Sequence, residues 1–420
     1  MRSALARLLP VLLIATAACW AAAATPYRAS GPAIRSDGSG YQAWTRALVT
    51  GDLSFCGNEE LEVVRAISAV DLVREVCQNK YPPGMALVRL PVTAWLVDRD
   101  AADPRPSPRE HEASLWLGSV TLVATAALVA DSARRLGAGA VPTGVALLCG
   151  TFGTGVFHYA TYDGSFSHGT SGLLVAAACW SASRSAERHR SPSVASTLVI
   201  AALLTLTRNT NVVVIASSLL AWIVWQRVPV RRVRVLLRHV GPAAAGVLIG
   251  AALQLAYNRY ATGAWALSSY GTEPFLLDRP RQREVLLSYE RGLLTWYPVM
   301  GVGLLGLLLT AKGRRMACFV LLLVVPVVVM YGFWFSWNLG GGFGHRGFVE
   351  VVPAVVIAFA LGLEALGNRW RSLVAGGMMI ATLVTTSLMV GYWRGTIGIA
   401  GTTGEEYWSH VYGTDSIATP

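Results

Sequence analysis

Charge is scarce in this chain. Of its 420 residues only 14% are charged, whereas 53% are hydrophobic, and a water-facing surface of this size needs more charge than that. A soluble globular protein is therefore excluded. Acidic residues are scarcer still, 24 against 35 Lys and Arg, for a net charge of +11. Nucleic-acid binding does not follow, because the arginines lie in short turns between apolar runs and form no contiguous face. Cysteine is sparse, six in all, and no pair has zinc-finger spacing. No Walker loop or dinucleotide fingerprint is present, so nothing offers a soluble nucleotide-sugar or ATP site. Internal repeats are also missing, which argues against the repeat-built transporters.

What is present is a series of apolar segments, and the mean hydropathy is +0.47. Candidate spans run over 8–24, 115–131, 140–157, 166–181, 194–207, 211–225, 240–257, 292–310, 316–334, 348–366 and 373–392. Most approach the ~20 residues that a hydrocarbon core requires. Backbone groups in lipid must pair internally, so helix is the expected state. The expected fold class is an all-α polytopic membrane protein of about eleven transmembrane helices with a helical outer first loop. Residues 1–24 form the first helix, 25–114 an outer loop, 115–392 the multi-helix domain and 393–420 an outer tail. Arg2, Arg7 and Ala22-Ala23-Ala24 also permit a cleaved signal peptide, and cleavage would leave the remaining topology unchanged.

Counting outward from the first span, the basic turns fall on one side: Arg134/Arg135, 184–190, 227–239, 312–315 and 369–371. By the positive-inside rule that side is cytoplasmic, which puts the N-terminus inside. The other side receives Asp37, Lys80, His158, Asp163, Arg208, Glu273, Arg291, His345 and Arg346. This sorting predicts a multi-pass protein of the cell membrane whose active face is extracytoplasmic. In the long first loop, 59–77 alternates acidic, apolar and basic residues at helical spacing, as a surface helix would. Residues 84–97 are apolar but too short to span and contain Arg89 and Pro91, so an interfacial or re-entrant helix is expected. Cys56 and Cys77 share this outer loop, where a disulfide is a fair expectation.

Four constellations could carry chemistry. In 35–41, Asp37 is flanked by small residues that allow a tight turn, and its carboxylate can accept a proton or coordinate a cation; an ordinary Asx turn is the competing reading. In 79–84, two prolines fix an extended path that aims Lys80 and Tyr81. Lys80 is placed to bind an anionic phosphate, or simply to snorkel. Arg208, Arg291 and Arg346 end helices on the side where cations are least expected, and arginine suits bidentate contact with phosphate; structural ion pairs with Asp163, Glu273 or Glu350 are the alternative. Finally, 334–346 combines Trp334 and Trp337 with glycines and His345, offering flat faces to a sugar ring or an interfacial aromatic belt. His158 and His168 flank Asp163, and Asp37, His158 and Asp163 are the candidate metal ligands.

The order of these elements resembles the GT-C glycosyltransferases. The carriers of the likeness are an Asp in the first outer loop, Tyr-Pro-Pro-Gly at 81–84, Thr-Arg-Asn-Thr-Asn at 207–211, Ser-Tyr-Glu-Arg-Gly-Leu at 288–293 and the segment 337–353. More closely, they are similar to bacterial relatives of protein O-mannosyltransferase and lipid A aminoarabinose transferase. That resemblance implies an inverting transferase that moves a sugar from a polyprenyl-phosphate donor to a glycan, lipid or protein acceptor of the cell envelope. It further implies Asp37 as base, with a divalent metal as a candidate assistant. Lys80, Arg208, Arg291 and Arg346 would face the donor phosphate, and Tyr41, Tyr81, Trp337 and His345 the sugar or acceptor. Many members carry a second acidic residue beside the first; here that neighbour is Gly38. A transporter or lipid flippase without covalent chemistry is the alternative expectation.

Overall fold

The computed structural model describes residues 2–24, 31–55, 70–71, 76–99, 105–188, 192–225, 233–266, 269–270 and 273–413. In chain order the helices are α1 Arg2–Ala23, α2 Asp37–Thr50, α3 Gly84–Thr93, α4 Pro108–Arg135, α5 Ala140–Phe152, α6 Val156–Thr161, α7 Ser167–Glu187, α8 Val194–Thr207 and α9 Asn211–Trp225. They continue with α10 Val233–Thr262, α11 Gln282–Leu287, α12 Leu293–Trp296, α13 Pro298–Leu308, α14 Ala311–Phe333, α15 Val352–Ala365, α16 Asn368–Arg394 and α17 Gly404–Tyr412.

The fold is that of an α-helical membrane protein. Among the described residues four helical segments are long and apolar enough to cross a membrane: Pro108–Arg135, Val240–Thr262, Ala311–Phe333 and Asn368–Arg394. Seven more apolar helical stretches are shorter. Two expected spans are interrupted for evident reasons. The segment 140–157 breaks after Gly153, and 292–310 breaks at Tyr297, whose φ of −126° and ψ of 63° precede Pro298 at the first position of α13. Proline tolerates that position because its missing N–H would be unpaired there anyway.

Local chemistry sets the helix ends. Ahead of α4, Ser107 and Glu110 form a reciprocal capping box with Pro108 at the first turn. Gly395, at φ 75°, closes α16 in the left-handed conformation that a side chain disfavours. Helix α15 is buried on all sides from Val352 to Leu363. Its all-round apolar surface suits the centre of the bundle, where it packs on α4, α5 and α14.

The two ends of the bundle differ in chemistry. At the N-terminal end of α4, Gln42 donates to Glu110 (3.1 Å) and the Ile34 N–H to His111 Nδ1 (3.1 Å). At its other end Asp131 binds Arg134, Arg135 and the Trp180 indole, and Arg135 also pairs with Glu187. Glu110 and Asp131 are separated by roughly 32 Å of helix at ~1.5 Å per residue. Glu364 joins the second end, accepting from the Gly139 N–H and meeting Arg371. The basic turns at 134–135 and 369–371 thus stand with Glu187 and Glu364 at one pole.

The first loop departs from expectation in part. At 70–71 and 76–77 the chain forms a two-residue antiparallel ladder, Val70 opposite Cys77 and Asp71 opposite Val76, where the sequence suggested surface helix. The rest of that expected helix, 59–69 and 72–75, lies outside the described residues. Cys77 is disulfide-bonded, and Cys56, its expected partner, also lies outside the described residues. Helix α3 is anchored to the bundle, since Arg89 is buried and donates to the Gly164 carbonyl at 2.8 Å. A Cβ on Gly84 would come within 2.4 Å of the Leu206–Thr207 backbone, so α3 seats directly on the end of α8.

Candidate functional site

Three loops and four helix ends converge at the pole opposite the basic turns. Asp37 opens α2, where the helix dipole favours a carboxylate. Its Oδ1 accepts from the Tyr81 hydroxyl (2.9 Å), and its Oδ2 meets Arg346 Nη2 at 3.1 Å. Burial works to raise the Asp37 pKa, but Arg346, the Tyr81 hydroxyl and Lys80 outweigh it and hold the carboxyl below its ordinary range. The residue before it, Ser36, has φ 49° and ψ −129°, a backbone region that residues with a Cβ rarely occupy. The Asx-turn reading does not hold, since Asp37 and Gly38 are helical.

Gly38 and Gly40 serve close packing. A Cβ at Gly38 would stand 2.1 Å from Ser165 Oγ, and one at Gly40 would stand 2.1 Å from the Tyr81 ring. A second carboxylate beside Asp37 therefore has no room. Gly38→Ala is expected to lower the unfolding midpoint in detergent, since overpacking of this kind costs ~1–3 kcal/mol, and an unchanged midpoint would show that Ser165 yields freely.

Lys80 does not snorkel. It is buried, ion-paired to Glu273 (Nζ to Oε1, 2.9 Å) and lies 5.4 Å from the Tyr81 and 5.6 Å from the Tyr270 ring centroids. The strand-like path before α3 is held by Asn79, whose side chain donates to the Gly40 carbonyl (2.7 Å) while its own N–H donates to the Tyr257 hydroxyl (2.8 Å). Tyr41 joins this wall, its ring 4.9 Å from that of Tyr81.

Arg208 ends α8 and turns into the bundle. Its Nη1 donates to Glu350 Oε1 (2.9 Å), which also takes a bond from His168 Nδ1 (2.8 Å). The same guanidinium nitrogen lies 2.6 Å from His168 Nδ1 and 2.9 Å from its Nε2. Arg346 lies over the Phe166 ring and is paired to Asp37, which raises its pKa against the effect of burial. Three cations and three carboxylates, Lys80/Glu273, Arg208/Glu350 and Arg346/Asp37, thus balance one another around a wall of tyrosines.

Arg291 is not part of this group. It is fully buried, and its guanidinium donates to the Ile399 and Glu290 carbonyls while lying over Trp296. It binds the turn before α12 to the segment leading into α17, a structural task that its position in sequence did not reveal. Trp337 packs in the apolar core. His345 is buried against Tyr331 and Phe348, and neither ring nitrogen meets hydrogen-bond geometry. Burial pushes its pKa down to about 3, although the nearby Trp337 backbone pulls the other way.

Of the candidate metal ligands, His158 and Asp163 meet at 3.0 Å and Asp163 also pairs with Arg35 (2.8 Å), whereas Asp37 stands apart, committed to Arg346 and Tyr81. Among the described residues no three His, Cys, Asp or Glu side chains are arranged to hold a metal ion. Arg35 was legible by the same signal as Arg208, a cation on the side where cations are least expected. Tyr270 and Tyr331, which line the cations, carried no such mark.

An apolar cavity of about 170 Å³ lies between α7, α8, α9, α14 and α15. One end holds Leu136, Ala186, Arg238 and Met316, near the basic turns. The other holds Leu204 and Ala354, each one helical turn from Arg208 and Glu350. No protein-family model and no curated protein matches the chain.

Proposed function

We propose that this protein is a GT-C-type membrane glycosyltransferase of about eleven spans that moves a sugar from a polyprenyl-phosphate donor to an acceptor at the outer face of the cell membrane. The observation that carries this reading is the convergence of Asp37, Lys80, Arg208 and Arg346, distant in sequence, one helical turn from an apolar cavity. A lipid-linked donor needs an apolar channel for its chain, cations for its phosphate and a carboxylate for the incoming hydroxyl. Departure of the phosphate from the anomeric carbon builds negative charge, which Lys80, Arg208 and Arg346 are placed to stabilise. Asp37 takes the acceptor proton as the new C–O bond forms.

The cavity also reaches Arg238 at the opposite pole, which suits lipid passage and keeps a flippase as the second reading. The test uses the full chain in vesicles with a radiolabelled polyprenyl-phosphate sugar and a membrane extract as acceptor source. Transfer of label to a covalent product is expected, with Lys80→Met raising the donor KM about tenfold, the effect of losing ~1.4 kcal/mol of binding. Transbilayer movement of the donor without product would favour the flippase instead.

A further inference from the structure

We infer that Asp163, held by His158 and Trp393, is a positioning residue that fixes the backbone carrying Asp37. This rests on the reading of Asp37 as the reacting carboxylate.

The inference follows a continuous chain of contacts through three separate segments. The Trp393 indole N–H, near the end of α16, donates to His158 Nδ1 at 2.9 Å. An indole N–H can only donate, so the His158 proton sits on Nε2. It points at Asp163 Oδ2, 3.0 Å away. The second oxygen of Asp163 receives Arg35 Nη2 at 2.8 Å. Arg35 precedes Ser36, the residue at φ 49°, and Ser36 precedes Asp37.

The same turn grips this segment at further points. Ser165 donates its hydroxyl to the Ala33 carbonyl (2.8 Å), and its side chain fills the space that a Cβ on Gly38 would need. A residue persists at positive φ only where its surroundings over-determine it, and such strain gathers at sites that need a fixed geometry. His158 and Asp163 are almost completely buried. A buried charged network contributes little net stability and is better understood as fixing one arrangement. The arrangement fixed here is the approach of Asp37 to Arg346 and Tyr81.

Because Arg346, Tyr81, Lys80 and His168 surround Asp37, its titration reports how well that approach is held. The test is an infrared titration of the Asp37 carboxylate in the full chain in nanodiscs, isolated by subtracting the Asp37→Asn spectrum. In Asp163→Asn the Asp37 pKa is expected to rise by about one unit as the carboxylate drifts from Arg346. Removing the negative charge of Asp163 would by itself move it down, so the sign separates lost positioning from simple electrostatics. An unchanged or lower value overturns the inference.

Should Asp163→Asn fail to fold, Trp393→Phe decides the matter by the same sign. It changes no charge and keeps the ring stacked on Tyr162, 5.6 Å away. In the transfer assay Asp163→Asn should lower kcat about tenfold with the donor KM unchanged, and add nothing in an Asp37→Asn background. The spectroscopic result stands whether or not the wild type transfers sugar, so absence of transfer counts against the function alone.

Discussion

Asp37→Asn is expected to lower transfer at least 10³-fold while leaving membrane insertion intact. General-base catalysis contributes ~10²–10⁴-fold, and 10³ corresponds to about 4 kcal/mol of lost transition-state stabilisation. Asparagine keeps an acceptor for the Tyr81 hydroxyl, so the packing around α2 survives while the proton acceptor is lost. Full activity in this variant would sink the assignment.

The pH dependence sharpens the prediction. In the free protein the Asp37 carboxyl lies below its ordinary value because Arg346, Tyr81 and Lys80 outweigh burial. A depressed pKa makes a weak base, which is a poor match to proton abstraction near neutrality. A bound phosphate would share the field of Arg346 and Lys80 and so raise the Asp37 pKa. The kcat/KM profile, which reports the free protein, should therefore stay flat down to about pH 4, whereas the kcat profile should fall at a higher pH. The stabilisation from this depressed group is present above the unfolded carboxyl value of ~3.9 and is lost as pH falls through the lower folded value.

The second large effect is expected at Arg208. Its partner Glu350 is 2% exposed and shares its Oε1 with His168. Arg208→Met would leave that carboxylate buried without a cation, which costs ~3–5 kcal/mol and should lower the unfolding midpoint clearly. The double variant Arg208→Met/Glu350→Gln removes both charges and should recover most of that stability. Transfer should not recover with it, because the phosphate would still lack its arginine. Recovery of both would assign the pair a purely structural role, and a single variant as stable as wild type would contradict the burial argument.

Much of the site could be read from the chain, but unevenly. Local signals made these residues legible: a carboxylate among small turn residues for Asp37, two following prolines for Lys80, and a cation on the side where cations are least expected for Arg208 and Arg346. Arg291 carried the same signal and proved to be a structural tie to Ile399. The difference lies in which carbonyls and carboxylates its guanidinium meets, and those belong to segments far along the chain. Gly38 read as a turn residue because Asp-Gly pairs commonly form turns; the fold uses it as a gap into which Ser165 fits. His345 read as a sugar contact, yet its ring is enclosed by Tyr331 and Phe348.

By itself the sequence determined the α-helical membrane class and the separation of basic turns from the candidate residues. Both follow from the bilayer as solvent, which excludes unpaired charge and demands long apolar helices, and that demand is written within each segment. Tertiary structure alone decided the pairings: Lys80 with Glu273, 193 residues away, Arg208 with Glu350, 142 away, and Arg346 with Asp37. Such pairs depend on helix packing across the bundle. The spacing of residues along one segment does not encode which distant carboxylate will stand opposite a given cation.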